Sequence, residues 1–523
     1  MTEGYPRPMT STWAGAVDTL ERWLIRLDRA RSGWALFAAL LPLLLLILAP
    51  TEWTSNEENY FQLAYRQVAP EQFSENHAIF DSAKARVVAE TFLGATVSWL
   101  GYEQAHFVLR IVLAVVYAGS LAIFFSGVEI AAIESLLVIA VFSAMGEQLI
   151  GGEWLFKGVE AKAFAYSLLF LAFGVASRGR WLTAIVLAAA ATYLHFLVGG
   201  FWTLLLLFMQ LRQQNTVRSA LLSAALFAGL MMPLVIVVVP HDVASLVASQ
   251  PSQGPSSDFI YADRGAEHVA PFKTKWAFWT WLPGIVVTVS LLGVLAGLQR
   301  RKFLPPIGVI ATSALCYLLL ALAIAFVDRH TNVLGKFYLF RPSSFALCLT
   351  ITAIVLAVRR QCPDNARLAL TLVATAFIGV FAWNTVTTQV DIIRRPPALP
   401  FEEELIGAIE RNSAREDIVL IEPLNEMRAD YGRLHRVIPR PTLVSWKFAP
   451  TNPADILRWY DLIQRRERFF MQGCAAPMQP QVTLLLIFQK ATAEKMRECG
   501  EVVWAQEEAS LLRVRGAATE LGR

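Results

Sequence analysis

The sequence predicts a polytopic α-helical membrane protein of about eleven spans, with a small α/β domain at its C-terminal end. Three observations predict it. Hydrophobic residues fill 55% of the 523 positions and charged residues 17%, with a mean hydropathy of +0.46, a balance too apolar for a soluble chain of this length. About eleven apolar stretches recur before residue 387. The loops between them alternate, one set short and basic, the other longer and rich in acids and histidines. That alternation is the positive-inside pattern.

The N-terminal segment, 1–32, carries Arg22, Arg26, Arg29 and Arg31 ahead of the apolar run Gly33–Pro50. At ~1.5 Å per residue that run spans a slightly thinned bilayer. No small-x-small cleavage pattern comes after it, so it reads as a signal anchor with a cytoplasmic N-terminus in the inner (plasma) membrane. Further spans are predicted at 105–126, 128–146, 161–177, 181–197, 199–211, 219–240, 276–298, 305–327, 343–358 and 366–386. Several fall short of the ~20 residues of a straight span. The 181–211 region reads either as two short helices broken at Gly199-Gly200 or as one long tilted helix. Two helices keep the basic loops Arg212–Arg218, Arg300-Arg301-Lys302 and Arg359–Arg367 on the side of Arg178 and Arg180. One helix would invert them.

The membrane domain is therefore 33–386. Its main outer-face loops are 51–104, 147–160, 241–275 and 328–342, and the tail 387–523 lies outside the cell membrane. In the first loop, Phe61–Val68 and Ala83–Trp99 are amphipathic and predict helices lying in the interface. The 241–275 loop, with Pro251, Gly254 and Pro255, predicts a mobile loop or lid. In the tail, Pro396-Pro397 and Pro400 mark a linker. Beyond it come strand-like runs at Ile418–Ile421, Thr442–Trp446, Val482–Phe488, Val502–Trp504 and Leu511–Val514, and helical stretches near 401–412, 453–470 and 489–498. This alternation predicts an α/β domain near the minimum size for its own core. Cys474 and Cys499 stand in an oxidising space and can pair if their Cα atoms lie within ~7 Å. Two unrelated thiols are the alternative.

Charged groups at the outer ends are the candidates for chemistry. Directly after the first span comes Asn56-Glu57-Glu58-Asn59-Tyr60. A partly desolvated carboxylate at the mouth of a cavity, Glu57 or Glu58, would have a raised pKa and could take a proton from a hydroxyl. Solvated boundary acids are the plainer reading. In the second loop Glu153, Lys157 and Glu160 fall on one face of a predicted helix at i, i+4 and i+7. That predicts either a cavity wall or ordinary pairing worth a few tenths of a kcal/mol. Lys162 enters an apolar span, where an ammonium needs a partner or a phosphate. His195 sits at the outer end of its span, as a cavity group or a structural hydrogen-bonder.

In the later loops His241-Asp242 and Glu267-His268 are compatible with a divalent cation, Mg or Mn, although no fixed metal-ligand spacing occurs. His268 remains a candidate substrate contact. Arg329, His330, Lys336 and Arg341 stand outside against the positive-inside trend. Arg341 and Lys336 suit a lipid phosphate, the guanidinium as a fork and the ammonium as a point charge; headgroup anchoring is the alternative. In the tail, Ser445–Pro450 and Trp459-Tyr460 set aromatics beside cations, which suits sugar rings and ordinary packing equally. No GxGxxG or GxxxxGK[ST] motif occurs, which excludes the familiar nucleotide-binding loops. No basic tract with interleaved aromatics predicts nucleic acid.

The Asn56-Glu57-Glu58-Asn59-Tyr60 motif resembles the acidic motif of type C (GT-C) glycosyltransferases, polytopic enzymes that take sugar from a polyprenyl-phosphate donor on the outer face. Their first outer loop carries an Asp-Glu-x-x-Tyr-like pattern followed by interfacial helices. Asn56 stands where the family often has an Asp that serves as catalytic base. The resemblance implies that Glu57 or Glu58 takes that role, or that activity is altered or absent. It also implies a polyprenyl-phosphate-linked sugar donor, a glycan, lipid or protein acceptor, and membrane lipids as surroundings. Late outer loops in the family often supply cations for the donor phosphate, a role that would fall to Arg341, Lys336 and Arg329. Asn56, Tyr60, Glu153, Glu160, Lys162, His195, His268 and His330 complete the expected substrate-binding set. A transporter or flippase of a polar or lipid-linked substrate, and a non-catalytic GT-C-like scaffold, are the alternatives.

Overall fold

The computed structural model describes residues 31–515, apart from 74–75, 82–83, 215, 249–254, 396–398, 425, 477 and 479. The arginines at 22, 26 and 29, the Pro251–Gly254 stretch and the Pro396-Pro397 linker lie outside the described residues, as do the side chains of His241 and Asp242.

Eleven apolar helices occupy the predicted positions. They are α1 (Gly33–Ile47), α4 (Tyr102–Gly127), α5 (Ala132–Ala144), α6 (Ala161–Ala176), α7 (Trp181–Leu194), α8 (Phe196–Gln214), α9 (Val217–Ala248), α12 (Lys275–Arg300), α13 (Pro306–Val327), α14 (Ser343–Gln361) and α15 (Asp364–Arg394). Between α1 and α4 lie α2 (Ser55–Val68) and α3 (Val87–Leu100); between α9 and α12 lie α10 (Ser257–Arg264) and α11 (Ala266–Val269). Seven helices, α4, α8, α9 and α12 to α15, are long and apolar enough to cross a membrane. Helices α1, α5, α6 and α7 hold only 13–16 residues, about 20–24 Å at the helical rise, less than the ~30 Å hydrocarbon core.

Two helices, not one, fill the 181–211 region. The break falls at His195, whose backbone is extended (φ −151°, ψ 101°), and not at Gly199-Gly200. Gly199 is needed one turn beyond the break: a Cβ there would lie 2.3 Å from the Thr192 backbone nitrogen, so only glycine lets α8 turn back against α7. The 255–275 segment, expected as a mobile loop or lid, is helical in α10 and α11, with Ser256 accepting from the Phe259 N–H at the α10 N-terminus.

The bundle core centres on Phe345 of α14. Its ring lies 4.4–5.7 Å from those of Tyr166, Phe170, Phe173 and Trp202. Helices α2 and α3 form a tight hairpin beside it, because a Cβ at Gly94 would meet the Ala64 carbonyl oxygen at 2.0 Å.

The tail is a four-stranded mixed sheet between helices. Its elements are α16 (Glu402–Asn412), β1 (Val419–Ile421), α17 (Ala429–Val437), α18 (Pro453–Gln472), β2 (Leu484–Ile487), α19 (Lys490–Met496), β3 (Gly500–Ala505) and β4 (Ser510–Val514). The strand order is β1-β2-β4-β3, with β1 and β2 parallel and the other pairs antiparallel. Both faces are buried. Val419, Ile421, Leu484 and Leu486 pack toward α16 and α17, while Leu420, Leu485, Ile487 and Leu512 pack toward α18 and α19. Hence β1 and β2 read as continuous apolar runs rather than alternating ones. The Thr442–Trp446 run makes only an isolated bridge from Thr442 to Val419. Cys474 and Cys499 form a disulfide with Cα atoms 5.3 Å apart.

The tail does not hang free. Arg436 of α17 clasps Glu58 with two hydrogen bonds of 2.9 and 3.0 Å and donates a third to Glu103 at 3.0 Å. Gln62 donates to the Gly432 carbonyl at 3.0 Å. Arg264 of α10 reaches the carbonyls of Trp446 and Lys447 at 2.8 and 3.2 Å. The tail thus sits on the α2 hairpin and α10 and carries Lys447 over the bundle end.

Candidate functional site

The loop 145–160 forms no helix, so the expected common face of Glu153, Lys157 and Glu160 does not exist and Lys157 is exposed. Glu147 shapes the loop instead. It is buried, and its Oε2 accepts from the backbone N–H of Leu155 and Phe156 at 2.8 and 2.7 Å. Gly151 and Gly152 take positive φ of 83° and 62° where the chain passes beneath Phe340 and His268. His268 Nδ1 lies 2.8 Å from the Gly151 carbonyl oxygen.

This course places a charged centre at one end of the bundle. Glu153, Glu160 and Lys162 are 2%, 2% and 5% exposed. The Lys162 ammonium donates to Glu153 Oε2 at 3.1 Å, stands 3.5 Å from Glu160 Oε2 and lies 3.8 Å over the Trp154 ring. Glu160 Oε1 accepts from Asn56 Nδ2 at 3.0 Å and Trp154 Nε1 at 3.2 Å. Asn56 Oδ1 in turn accepts from Lys447 Nζ at 2.5 Å. On the other side, Arg341 lies 3.6 Å from Glu153 Oε1, 3.2 Å from His195 Nε2 and 4.4 Å over the Tyr338 ring. Its carbonyl accepts from the Tyr166 hydroxyl at 2.8 Å, and its Nε has no hydrogen-bond partner among the described residues. Tyr60 faces the same centre with Arg86 over its ring at 5.5 Å.

The electrostatics are set by burial against pairing. Burial pushes the Glu153 carboxyl up, but Arg341 and Lys162 outweigh it and hold the group ionised below its usual range. Burial, reinforced by Arg264, lowers the Lys447 ammonium to about 8. Burial also lowers His268 and raises the Tyr60 hydroxyl.

Of the predicted site residues, the structure brings together Asn56, Tyr60, Glu153, Glu160, Lys162, His195, His268 and Arg341. The other five stand elsewhere. Glu57 is fully buried and saturated. Arg110 Nε and Nη2 donate to its two oxygens at 2.7 and 2.6 Å, the Val159 N–H at 2.8 Å and the Thr54 N–H at 2.9 Å, with His106 at 3.4 Å. Burial raises its carboxyl, yet the His106 and Arg110 bonds bring it down to about 2. A carboxylate held this way is a poor proton acceptor, the reverse of the raised pKa expected of it. Glu58 points the opposite way, into the Arg436 clasp; burial raises its carboxyl, but both oxygens are taken by the tail. Arg329 is exposed over Phe326, His330 is exposed, and Lys336 pairs with Asp258 at 3.1 Å.

Sequence reasoning missed Arg110 and Arg86 as functional or positioning groups, and marked Lys447 only as a cation among aromatics in the tail. Arg110 carried a readable signal, a charge inside the apolar helix α4, where a buried partner is required. The sequence did not show that Lys447 meets Asn56, because only the docking of the tail brings them together. No group of three His, Cys, Asp or Glu side chains that could hold a metal ion occurs among the described residues. Between Glu153 and Glu160, where a cation is called for, stands the ammonium of Lys162.

No family model matches the chain and no curated protein matches it.

Proposed function

We propose that the protein is a membrane glycosyltransferase of the GT-C kind, moving a sugar from a polyprenyl-phosphate donor to an acceptor hydroxyl at the extracytoplasmic face. In this reading all eleven apolar helices lie in the membrane, the tail roofs the site from outside, and Glu160 replaces Glu57 and Glu58 as the base.

One observation carries the reading: segments far apart in sequence, and the tail, bring ionisable and polar groups to one buried centre at a single bundle end. Burying ion pairs is a poor way to gain stability, since desolvation offsets most of the attraction. Buried ionisable groups whose partners perturb one another are a functional-site signature. The chemistry that suits them is an inverting displacement. Glu160 takes the proton of the acceptor hydroxyl, whose oxygen forms a bond to the anomeric carbon. The bond from that carbon to the donor phosphate breaks, and its electron pair leaves on the phosphate. Arg341, with an unused Nε, and Arg86 flank the place where that charge grows, the arrangement that lowers such barriers most. Asn56 orients Glu160 and holds Lys447 beside it. Tyr60, Tyr338 and Trp154 offer ring faces to a sugar. No step needs a metal ion.

Transport is less well supported, because the charged groups lie in loops and at helix ends rather than at mid-membrane. The test is transfer of labelled sugar from a panel of polyprenyl-phosphate sugars in proteoliposomes, comparing wild type with Glu160→Gln and Arg341→Gln. Transfer by wild type that both variants lose is the expected result. Equal transfer in all three would remove the site assignment, and no transfer by wild type from any donor would remove the reading.

A further inference from the structure

The opposite end of the bundle holds a cavity that the charged centre does not use. It has a volume of about 340 Å³ and lies between α5, α14 and α15. Leu137 and Val141 of α5, Ile354 and Val358 of α14, and Ala374 and Phe377 of α15 form its walls. Its mouth is polar: Arg359, Arg367, Glu134 and Cys362 line it. Arg359 donates to Glu134 at 2.9 Å and to the Glu129 carbonyl at 3.1 Å, so its guanidinium is held at the rim. Arg367 is exposed, as is the neighbouring Arg360.

We infer that this groove is a binding site for an anionic glycerophospholipid, one acyl chain lying between α5, α14 and α15 and the headgroup phosphate on Arg359 and Arg367. Three features favour that occupant. An apolar slot with no side chain to fill it loses packing contacts along its walls, and an acyl chain restores them. Its volume falls in the range of small-molecule sites. Among the described residues that line it, the rim carries Arg359 and Arg367 beside Glu134, and guanidinium is the group best matched to a phosphate. A basic pocket between helices on the positive side of a bundle is also where anionic headgroups gather. The groove marks the seam by which α15 joins the bundle, and α15 is the helix that leads into the tail. Its outward side chains Val380 and Trp383 are 62% and 68% exposed, so a lipid in the seam would hold it in place. The inference is independent of the transferase reading.

The test uses the full chain in neutral detergent, titrated with phosphatidylglycerol or phosphatidylcholine. Phosphatidylglycerol is expected to raise Tm by about 3 °C or more beyond phosphatidylcholine, as a ligand specific to the native state does. Arg367→Gln should abolish the difference between the two lipids, and Ala374→Trp, which fills the slot, should abolish both shifts. A second readout uses the half-buried thiol of Cys362 at the mouth, in a Cys316→Ala background. Phosphatidylglycerol should slow its maleimide labelling at least fivefold in wild type, with no slowing in Ala374→Trp. Equal shifts from the two lipids in wild type, or a phosphatidylglycerol effect that survives Ala374→Trp in both readouts, would overturn the inference.

Discussion

Glu57 and Glu160 are buried carboxylates on segments that touch, for the N–H of Val159 donates to Glu57 while the next residue, Glu160, faces the other way. They are held in different manners. Glu57 receives two guanidinium bonds and two backbone N–H bonds, all of 2.6–2.9 Å. Glu160 receives two neutral donors on one oxygen at 3.0 and 3.2 Å, and on the other only an ammonium at 3.5 Å. The first arrangement fills the acceptor capacity of both Glu57 oxygens. The second leaves an oxygen with room to accept a proton. Burial alone therefore says little about which acid does chemistry; the unsatisfied capacity of the group says more.

The sharpest break of this comparison is Glu160→Gln. On the proposed mechanism, labelled-sugar transfer should fall by a factor of about 10²–10⁴, the usual worth of a positioned general base, while thermal unfolding in detergent changes little. Glu57→Gln should do the reverse. It strands Arg110 in the bundle and should cost about 3–5 kcal/mol of stability, with transfer per folded molecule preserved. A Glu57 variant that stays stable but loses transfer would return the base to Glu57.

The pH dependence separates the two sites as well. The Glu57 carboxyl is held at about 2 against an ordinary 4.5, so its contribution is present above pH 4.5 and drains away as pH falls toward 2. Wild type should lose more stability than Glu57→Gln across that window, measured by urea unfolding. Lys447 behaves oppositely. With the folded pKa at about 8 against 10.5, the cost of burying its charge is felt below pH 8 and is relieved as pH climbs to 10.5. Wild type should gain up to about 3 kcal/mol relative to Lys447→Met over that interval. A smaller effect belongs to the tail clasp: Arg436→Gln should cost about 1–3 kcal/mol and increase proteolysis between the bundle and the tail, with the tail's own sheet still protected.

Much of this architecture is legible without coordinates. Apolar runs place the eleven helices, because a buried or lipid-facing helix must be apolar along its length. The runs at 419–421 and 484–487 mark strands buried on both faces. Lys162 inside an apolar span pointed to a buried partner or a phosphate, without saying which. Other features were not legible for definite reasons. The helical face expected for Glu153, Lys157 and Glu160 fails because Glu147 captures two backbone N–H groups and two glycines take positive φ, which no periodicity reveals. Helix α17 was missed because its nine residues make a short, mixed stretch, with Ala429, Tyr431, Leu434 and Val437 too scattered to form an apolar run.

The sequence by itself determined that this chain is a set of apolar helices with a small α/β tail, and that its polar groups gather at helix ends. Hydrophobic burial and chain length suffice for that. Only the tertiary structure decided among Asn56, Glu57 and Glu58. They open one helix, α2, where successive side chains point about 100° apart. Asn56 therefore faces Glu160 and the tail's Lys447, Glu57 faces Arg110 of α4, and Glu58 faces Arg436 of α17. Adjacency in sequence put the three in one motif; helical rotation gave each a different neighbour, and the neighbour sets the chemistry.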